Sequence, residues 1–422
     1  MKSILFICDL GHCPHRIPGW AEELSNRGWT VNILSPKMTN KQKAYLGIQR
    51  NHAWKIDKKI QFPMHYRRYF WISSKLQRIY AWAQERKLKY KEKSNLEALI
   101  HEHKFNQFAK IIETFSHLAW YKEAVDRALQ LVHEEHVSVV ISSSSPIMSH
   151  LIAHSVSIKG NVKWIADYRD LWSLNHTHSN INELETDFEA MILRNSSACL
   201  TATDGMSRNL SKLYDGPICT IHNAFEDNIQ DPVAINFGKP IRILYTGTIY
   251  EGFQDIEMIY DALKVVNSKK RFYVLDVYGF ASRNFKRFAL RKDGYLPSYI
   301  KLHPHKSMFK IRKLQRSADL LLFLDWKDNF GFESTKLIEY LSKPGFILGT
   351  GLWKEGAASS IIRQSGKGKY FTNTEDLIMF LDELATQKSH YPLFTHRDTC
   401  FINKFSFTSQ VEKLANLIES LG

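Results

Sequence analysis

Short apolar runs alternate with amphipathic stretches along almost the whole chain, and the pattern occurs twice. Strand candidates in the first half are ILFICDL, TVNILSP, VSVVISS, VKWIADY, SACLTAT and PICTIHN. The second half has RILYTG, FYVLDVYG, IKLHPH, LLLFLDW and GFILGTG. Between them lie stretches such as GWAEELSNRGW, DIEMIYDALKVVNS and FKIRKLQRSAD, with apolar residues at helical spacing. Strand runs separated by helical patterns imply βαβ units and a parallel sheet. Right-handed crossovers then place the loops after the strands on one edge, where such sheets bind ligands. FEDNIQDPVAINFGKP (225–240) separates the two series and reads as a linker. The expected fold class is α/β, two doubly wound, Rossmann-like parallel-sheet domains facing across a cleft. Residues 1–224 and 241–404 form the domains, and the amphipathic FSFTSQVEKLANLIES lies in the closing segment, 405–422.

Composition narrows the partners. With 44% hydrophobic and 24% charged residues, the 422-residue chain is ordinary globular material. A formal charge of +14 points to an anionic partner: nucleic acid, an acidic membrane surface or a phosphorylated small molecule. MKSILFICDLG is interrupted by Asp9 and reads as a first strand rather than a signal peptide. No window approaches the roughly 18 uninterrupted apolar residues of a spanning helix. The five cysteines are scattered and odd in number, which argues against a disulfide framework and for a cytoplasmic setting. One insertion, within about 40–120, breaks the alternation. Its core, 64–95, mixes aromatics with lysine and arginine and reads as one or two helices. Either it is a solvated basic face, or it meets anionic lipid headgroups as a peripheral membrane contact. No recognition-helix motif supports nucleic acid.

Three stretches can carry chemistry. In NFGFESTKLIEYLSKPG, Ser334 or Thr335 caps a helix, and Lys336 and Glu339 share a face one turn in. A helix amino end attracts phosphate, Lys336 adds a full charge, and Glu339 can accept from ribose hydroxyls. The alternative is a surface helix with an ordinary ion pair. RILYTGTIYEGF breaks from a buried strand at Gly247 and Gly252, and FICDLGHCPHRIPGWAEEL does the same at Gly11 and Gly19. Each is either a ligand-approaching turn or a routine one. His12, Cys13 and His15 lack a partner cluster of zinc spacing, so no metal is expected. The chain also lacks Asp-x-Asp, a P-loop and a nucleophile elbow. DYRDLW (167–172) sets aspartates, an arginine and a tryptophan at the end of a strand.

In order along the chain, VVISSSSP, WIADYRDLW, TIHNAFEDN, ILYTGTIYEG and TKLIEYLSKPGFILG resemble retaining family 4 glycosyltransferases of the GT-B fold. The likeness is nearest to members from bacterial polysaccharide and lipopolysaccharide biosynthesis, and covers nearly everything except 40–120. It implies a retaining transferase moving a sugar from a nucleotide diphosphate donor to a glycan or lipid-linked glycan, without metal or other cofactor. The donor belongs to the C-terminal domain and the acceptor to the N-terminal one, with the terminal helix crossing back onto the latter. Carried over, Gly247 and Thr248 sit by the diphosphate. Ser334, Thr335 and Lys336 hold its phosphates, Glu339 takes the ribose, and Gly11 approaches from the other domain. Tyr278 and Gly279 in VYGF, and His305 in HPHKS, fall in regions that flank the base. Arg169 and Asp170 occupy the positions of a His–Asp pair that faces the transferred sugar in many members, and His12 joins them as a catalytic candidate. The other reading of Arg169 and Asp170 is a structural ion pair tying the loop to Trp172.

Three departures qualify the resemblance. The first Glu of the family's E-x7-E motif is Gly331 here, two loop cations after the first C-terminal strand are missing, and the histidine of the His–Asp pair is Arg169. Lys336, Arg169, His12 and Arg16 are then the cations left to neutralise phosphate. A catalytically inactive GT-B subunit and another GT-B enzyme, such as a nucleotide-sugar epimerase, are the alternatives. The implied setting is the cytoplasm or the inner face of the cell membrane.

Overall fold

The computed structural model describes residues 2–13, 15–36, 55–56, 58–59, 64–67, 116–175, 183–225, 228–232, 235–250, 252–268, 272–327, 331, 333–386 and 397–421. The chain divides into two compact units. The first holds the described residues up to His222 together with those from Val411 onward, and the second holds Asn223–Gln410.

The first unit is built on a seven-stranded parallel sheet. Its strands are β1 (Ser3–Cys8), β2 (Thr30–Pro36), β5 (Met64–Arg67), β6 (Val139–Ser144), β7 (Lys163–Tyr168), β8 (Ala198–Thr201) and β9 (Ile218–Thr220). Their order is β5-β2-β1-β6-β7-β8-β9. A separate antiparallel pair, β3 (Lys55–Ile56) and β4 (Lys58–Lys59), precedes β5. The connecting helices are α1 (Arg16–Asn26), α2 (Ser116–Glu134), α3 (Met148–Gly160), α4 (Glu183–Leu193) and α5 (Asp204–Leu210). Strands β1 and β6 are buried at every position, as a parallel strand covered on both faces must be. That burial makes β1 read as an apolar run, whereas β6 follows its three apolar residues with three buried serines.

The second unit has a six-stranded parallel sheet of β10 (Ile241–Thr246), β11 (Tyr273–Tyr278), β12 (Ile300–His303), β13 (Leu320–Leu324), β14 (Phe346–Thr350) and β15 (Gly368–Phe371). The order β12-β11-β10-β13-β14-β15 is that of a Rossmann sheet. Helices α6 (Glu257–Val266), α7 (Ala281–Asp293), α8 (Met308–Arg316), α9 (Thr335–Leu341), α10 (Ala357–Ser365) and α11 (Thr374–Thr386) connect and cover it. Two cores result, one on each face. Tyr245, Tyr260, Phe285 and Leu322 belong to one, and Phe323, Leu337, Tyr340 and Ile362 to the other. A short α12 (Thr399–Asn403) and α13 (Phe407–Ser420) close the chain. Phe225 is bridged to Ser406, and Lys2 pairs with Glu419 inside the first unit.

The α/β expectation of two doubly wound parallel sheets holds. Two details differ. Strand β15 does not appear among the predicted runs, because Gly-Lys-Tyr-Phe offers only two apolar residues. Residues 64–67, expected to be helical, form β5 on the edge of the first sheet. The remainder of the basic insertion, 68–95, lies outside the described residues. Among the described residues, no helix is long and apolar enough to cross a membrane.

Candidate functional site

Each sheet reverses its winding direction once, at β10/β13 and at β1/β6. Ligands of doubly wound sheets bind beyond the carboxyl ends of the strands at such points.

At the β10/β13 reversal the chain leaves β10 through Gly247, whose φ is +120°. A side chain there would be strained, and a Cβ would lie 3.3 Å from Lys336 Cε and 3.5 Å from Nζ. Gly279, at φ +92°, ends the neighbouring strand, and a Cβ on it would lie 3.1 Å from the Gly247 carbonyl oxygen. The Gly247 N–H donates to the Tyr278 carbonyl (3.2 Å), and its own carbonyl accepts from Ala281 N–H (3.1 Å). The two glycines therefore let two loops and the Lys336 stem share one small volume.

Lys336 enters from the first turn of α9, after β13. Its Nζ stands 3.8 Å from the centroid of the Tyr245 ring. Desolvation pulls its pKa from 10.5 down to about 7, against the opposing pull of the Glu339 carboxylate. Tyr245 is itself fixed, donating its hydroxyl to the Thr248 carbonyl at 2.8 Å. Ser334 is the N-cap residue, in an extended conformation, yet its side chain caps nothing. Its Oγ is buried with no hydrogen-bond partner. An orphaned hydroxyl beside a helix amino end and a desolvated cation fits a ligand oxygen placed there. Thr335 and Thr248 are exposed, and Glu339 is half-buried one turn further along α9.

The residues expected around a base have mixed fates. The Tyr278 ring stacks on His303 at 4.2 Å and 9° and is buried, so its ring is spent on packing. His303 Nε2 in turn meets Asp276 at 2.6 Å. His305 lies 5.7 Å from the largely exposed Phe280, and burial lowers its pKa.

A feature not read from the sequence stands at the end of β13. The Asp325 carboxyl accepts from Tyr370 hydroxyl (2.8 Å) and from Trp326 N–H (2.9 Å). Desolvation nevertheless raises its pKa to about 6, those two bonds only partly opposing it. Trp326 packs 5.0 Å from Tyr250 of the Gly247 loop. The signal available in advance was an aspartate ending the apolar run LLLFLD.

At the β1/β6 reversal, the buried Asp9 accepts from Gly11 N–H (2.7 Å), and His12 Nδ1 lies 2.9 Å from its other oxygen. His12 is half exposed and its ring orientation is set by this carboxylate. The aspartate three residues before a histidine was visible in the sequence, but its orienting role was missed.

DYRDLW makes contacts that neither reading named. Asp167 lies inside β7 and is fully buried, and its partner is Arg16 from α1, 2.8 Å away. Ser143 Oγ donates to the same carboxylate at 2.7 Å. Arg16 also lies 4.2 Å over the Trp20 ring. A guanidinium committed to a buried carboxylate and an indole face is structural, so Arg16 is corrected from phosphate neutraliser to core ion pair. Arg169 donates to three backbone carbonyls, Ser144 (2.8 Å), Ser145 (2.7 Å) and His12. It binds the loops after β1 and β6 to the end of β7. Asp170 is exposed on the same loop. Trp172 donates instead to Glu185, at 2.7 Å. Among the described residues, no group of three or more metal-ligating side chains occurs.

No protein-family model matches the sequence, and no curated protein matches it. Solved structures do. A glycosyltransferase from Rickettsia africae has 14% identity and a TM-score of 0.61, with 100% of this chain and 98% of that one covered. Alr3699/HepE from Anabaena, solved in complex with UDP, has 11% identity and a TM-score of 0.61, with 100% of both chains covered. A putative UDP-N-acetylglucosamine 2-epimerase from Listeria monocytogenes has 12% identity and a TM-score of 0.57, with 100% and 96% covered. The fold is GT-B. At these identities the likeness speaks for fold alone, and function rests on the site.

Proposed function

We propose that the protein is a glycosyltransferase that moves a sugar, with retained anomeric configuration, from a nucleotide diphosphate donor to a glycan or lipid-linked glycan. The observation that carries this reading is the meeting of Gly247, Gly279, Lys336 and the unpartnered Ser334 hydroxyl at one reversal of the Rossmann sheet. In this reading residues 241–404 bind the donor, residues 1–224 bind the acceptor, and 405–422 return to the acceptor domain.

Each residue then has a chemical task. The glycine backbone admits the diphosphate, while Lys336 and Ser334 bind its oxygens as charge builds on the leaving group. Thr335 adds a hydroxyl at the same helix end, and Thr248 adds one in the Gly247 loop. Glu339 accepts from the ribose, and the loops after β11 and β12, at Gly279 and His305, border the base. Gly11 lets the β1 loop approach the diphosphate. Asp170 orients a hydroxyl of sugar or acceptor, and His12, held by Asp9, exchanges a proton with the acceptor. Arg169 acts by positioning the His12 loop through its carbonyl. The Anabaena structure holds UDP on the same fold, which supports a uridine donor among the candidates. No metal is required in this scheme, and the reaction is placed on the cytoplasmic side of the membrane.

One observation favours a second reading, a GT-B protein that binds a nucleotide sugar without turning it over. Arg169 is spent on carbonyls, and the loop after β10 carries no cation. A panel of UDP-, GDP-, ADP- and CMP-sugars, tested by thermal unfolding without metal, separates the possibilities. At 100 times its dissociation constant the donor stabilises the fold by about 2.7 kcal/mol. A shift with one donor, followed by nucleotide release in the presence of acceptor, supports the transferase, and product NMR reads the anomer. A shift with no release supports the inactive subunit. Silence across the panel overturns both.

A further inference from the structure

The second unit carries an unusually one-sided charge distribution. Between Phe280 and Arg316 there are eleven lysines and arginines and one acidic residue, Asp293, so this segment supplies ten of the chain's net fourteen positive charges. Asp293 does not offset them outward, because it accepts from Lys264 and from the Tyr260 hydroxyl at 2.9 Å each. Lys292 is neutralised by Glu257 and Asp261 of α6. Arg283, Lys286, Lys310 and Lys313 are exposed.

The segment forms the β12 edge of the sheet, with α7 before that strand and α8 after it. Apolar side chains stand among the cations. Phe280, at the N-cap of α7, is 63% exposed, and Phe309, in the first turn of α8, is 58% exposed. Leu290 is 46% exposed, and 283, 287 and 290 recur at the spacing of one helix face. Lone exposed apolar residues are common, but two phenylalanines and a leucine within a basic surface are not explained by solubility.

We propose that this edge, the exposed face of α7 together with the start of α8, docks on an anionic lipid surface. Cations reach the headgroup phosphates while Phe280, Phe309 and Leu290 enter the boundary with the acyl chains. Nucleic acid satisfies the charge equally well, but offers a leucine nothing to be buried in. The proposal does not depend on sugar transfer; Phe280 is the member of the surface that neighbours the donor reading, following Gly279 and lying 5.7 Å from His305.

The test is flotation of the full chain with vesicles of phosphatidylcholine, with and without phosphatidylglycerol. Binding is expected only to the anionic vesicles and weakens as salt is raised. Each cation contributes about fivefold to partitioning, so replacing Arg283, Lys286, Lys310 and Lys313 together by Gln lowers it by several hundredfold, about to the detection limit. Phe280→Ser with Phe309→Ser lowers vesicle binding while leaving any binding to a short RNA unchanged. All six positions are exposed, and unchanged circular dichroism and thermal unfolding confirm folded variants. Three results overturn the proposal: no binding to anionic vesicles, full binding by the quadruple variant, or binding to RNA alone.

Discussion

Donor binding as a function of pH tests the centre of the proposed site. Lys336 has its pKa pulled from 10.5 to about 7, chiefly by desolvation. In the ligand-free protein the ammonium is therefore half charged at pH 7 and about nine-tenths neutral at pH 8. A diphosphate requires the charged form and draws its pKa back up. Above pH 7 the apparent affinity then falls about tenfold per pH unit, roughly 1.4 kcal/mol, until the pKa of the complex is reached. Calorimetry at pH 8 in buffers of different ionisation heat should count close to one proton taken up per donor bound. Lys336→Met keeps the apolar stem over Tyr245 and removes the charge. It should cost about 1.5–3 kcal/mol of affinity at pH 6 and flatten the pH profile. The same variant should be more stable than the parent without ligand at pH 6. The sign follows from linkage: the folded pKa lies below the unfolded one, so the unfolded chain holds more protons between about pH 7 and 10.5. The cost of Lys336 is thus fully present below that window and relieved as pH rises through it. A flat affinity from pH 6 to 9, with no proton uptake, would refute the placement of Lys336 on the phosphates.

Three other perturbations have defined outcomes. Arg16→Ala leaves the buried Asp167 without its cation and should destabilise by about 3–5 kcal/mol in chemical denaturation; the pair Arg16→Met with Asp167→Leu should recover most of the loss. Gly247→Ala forces a Cβ into a φ of +120° beside the Lys336 stem. It should cost about 1–3 kcal/mol in stability and weaken donor binding in the thermal-shift panel. Asp325, whose pKa is raised from 3.8 to about 6, is protonated in the folded protein at pH values where the unfolded chain is ionised. Its ionisation costs stability that appears as pH rises through about 4 to 6, so Asp325→Asn should gain in melting temperature relative to the parent across that window. An unchanged difference between pH 4 and pH 7 would show that Asp325 does not titrate there.

The sheets were legible because a parallel strand covered on both faces is written as an unbroken apolar run, as in LLLFL of β13. Strand β15 was not, since GKYF sits at a sheet edge and carries a lysine and a glycine. Gly247 and Lys336 could be singled out because their meaning is local: a glycine ending a strand, a lysine in a first helical turn. Arg16 and Asp167 are 151 residues apart, and nothing near either one names the other. The partners of Arg169 are carbonyl oxygens, which every residue has and no sequence pattern marks.

Of the four cations that sequence reasoning offered to the donor phosphates, the structure removes Arg16 to a buried pair and spends Arg169 on three carbonyls. Lys336 and His12 remain, the first on the second unit and the second on the first. Lys336 is desolvated to the edge of neutrality, which a permanently paired lysine beside a free carboxylate would not be. A cation held this way gains most when an anion arrives, since binding restores the charge that burial disfavours. The missing loop cations therefore do not by themselves argue for an inactive protein. In the proposed reading the donor's own charge is the event that ionises Lys336, and proton uptake on binding is the signature to expect.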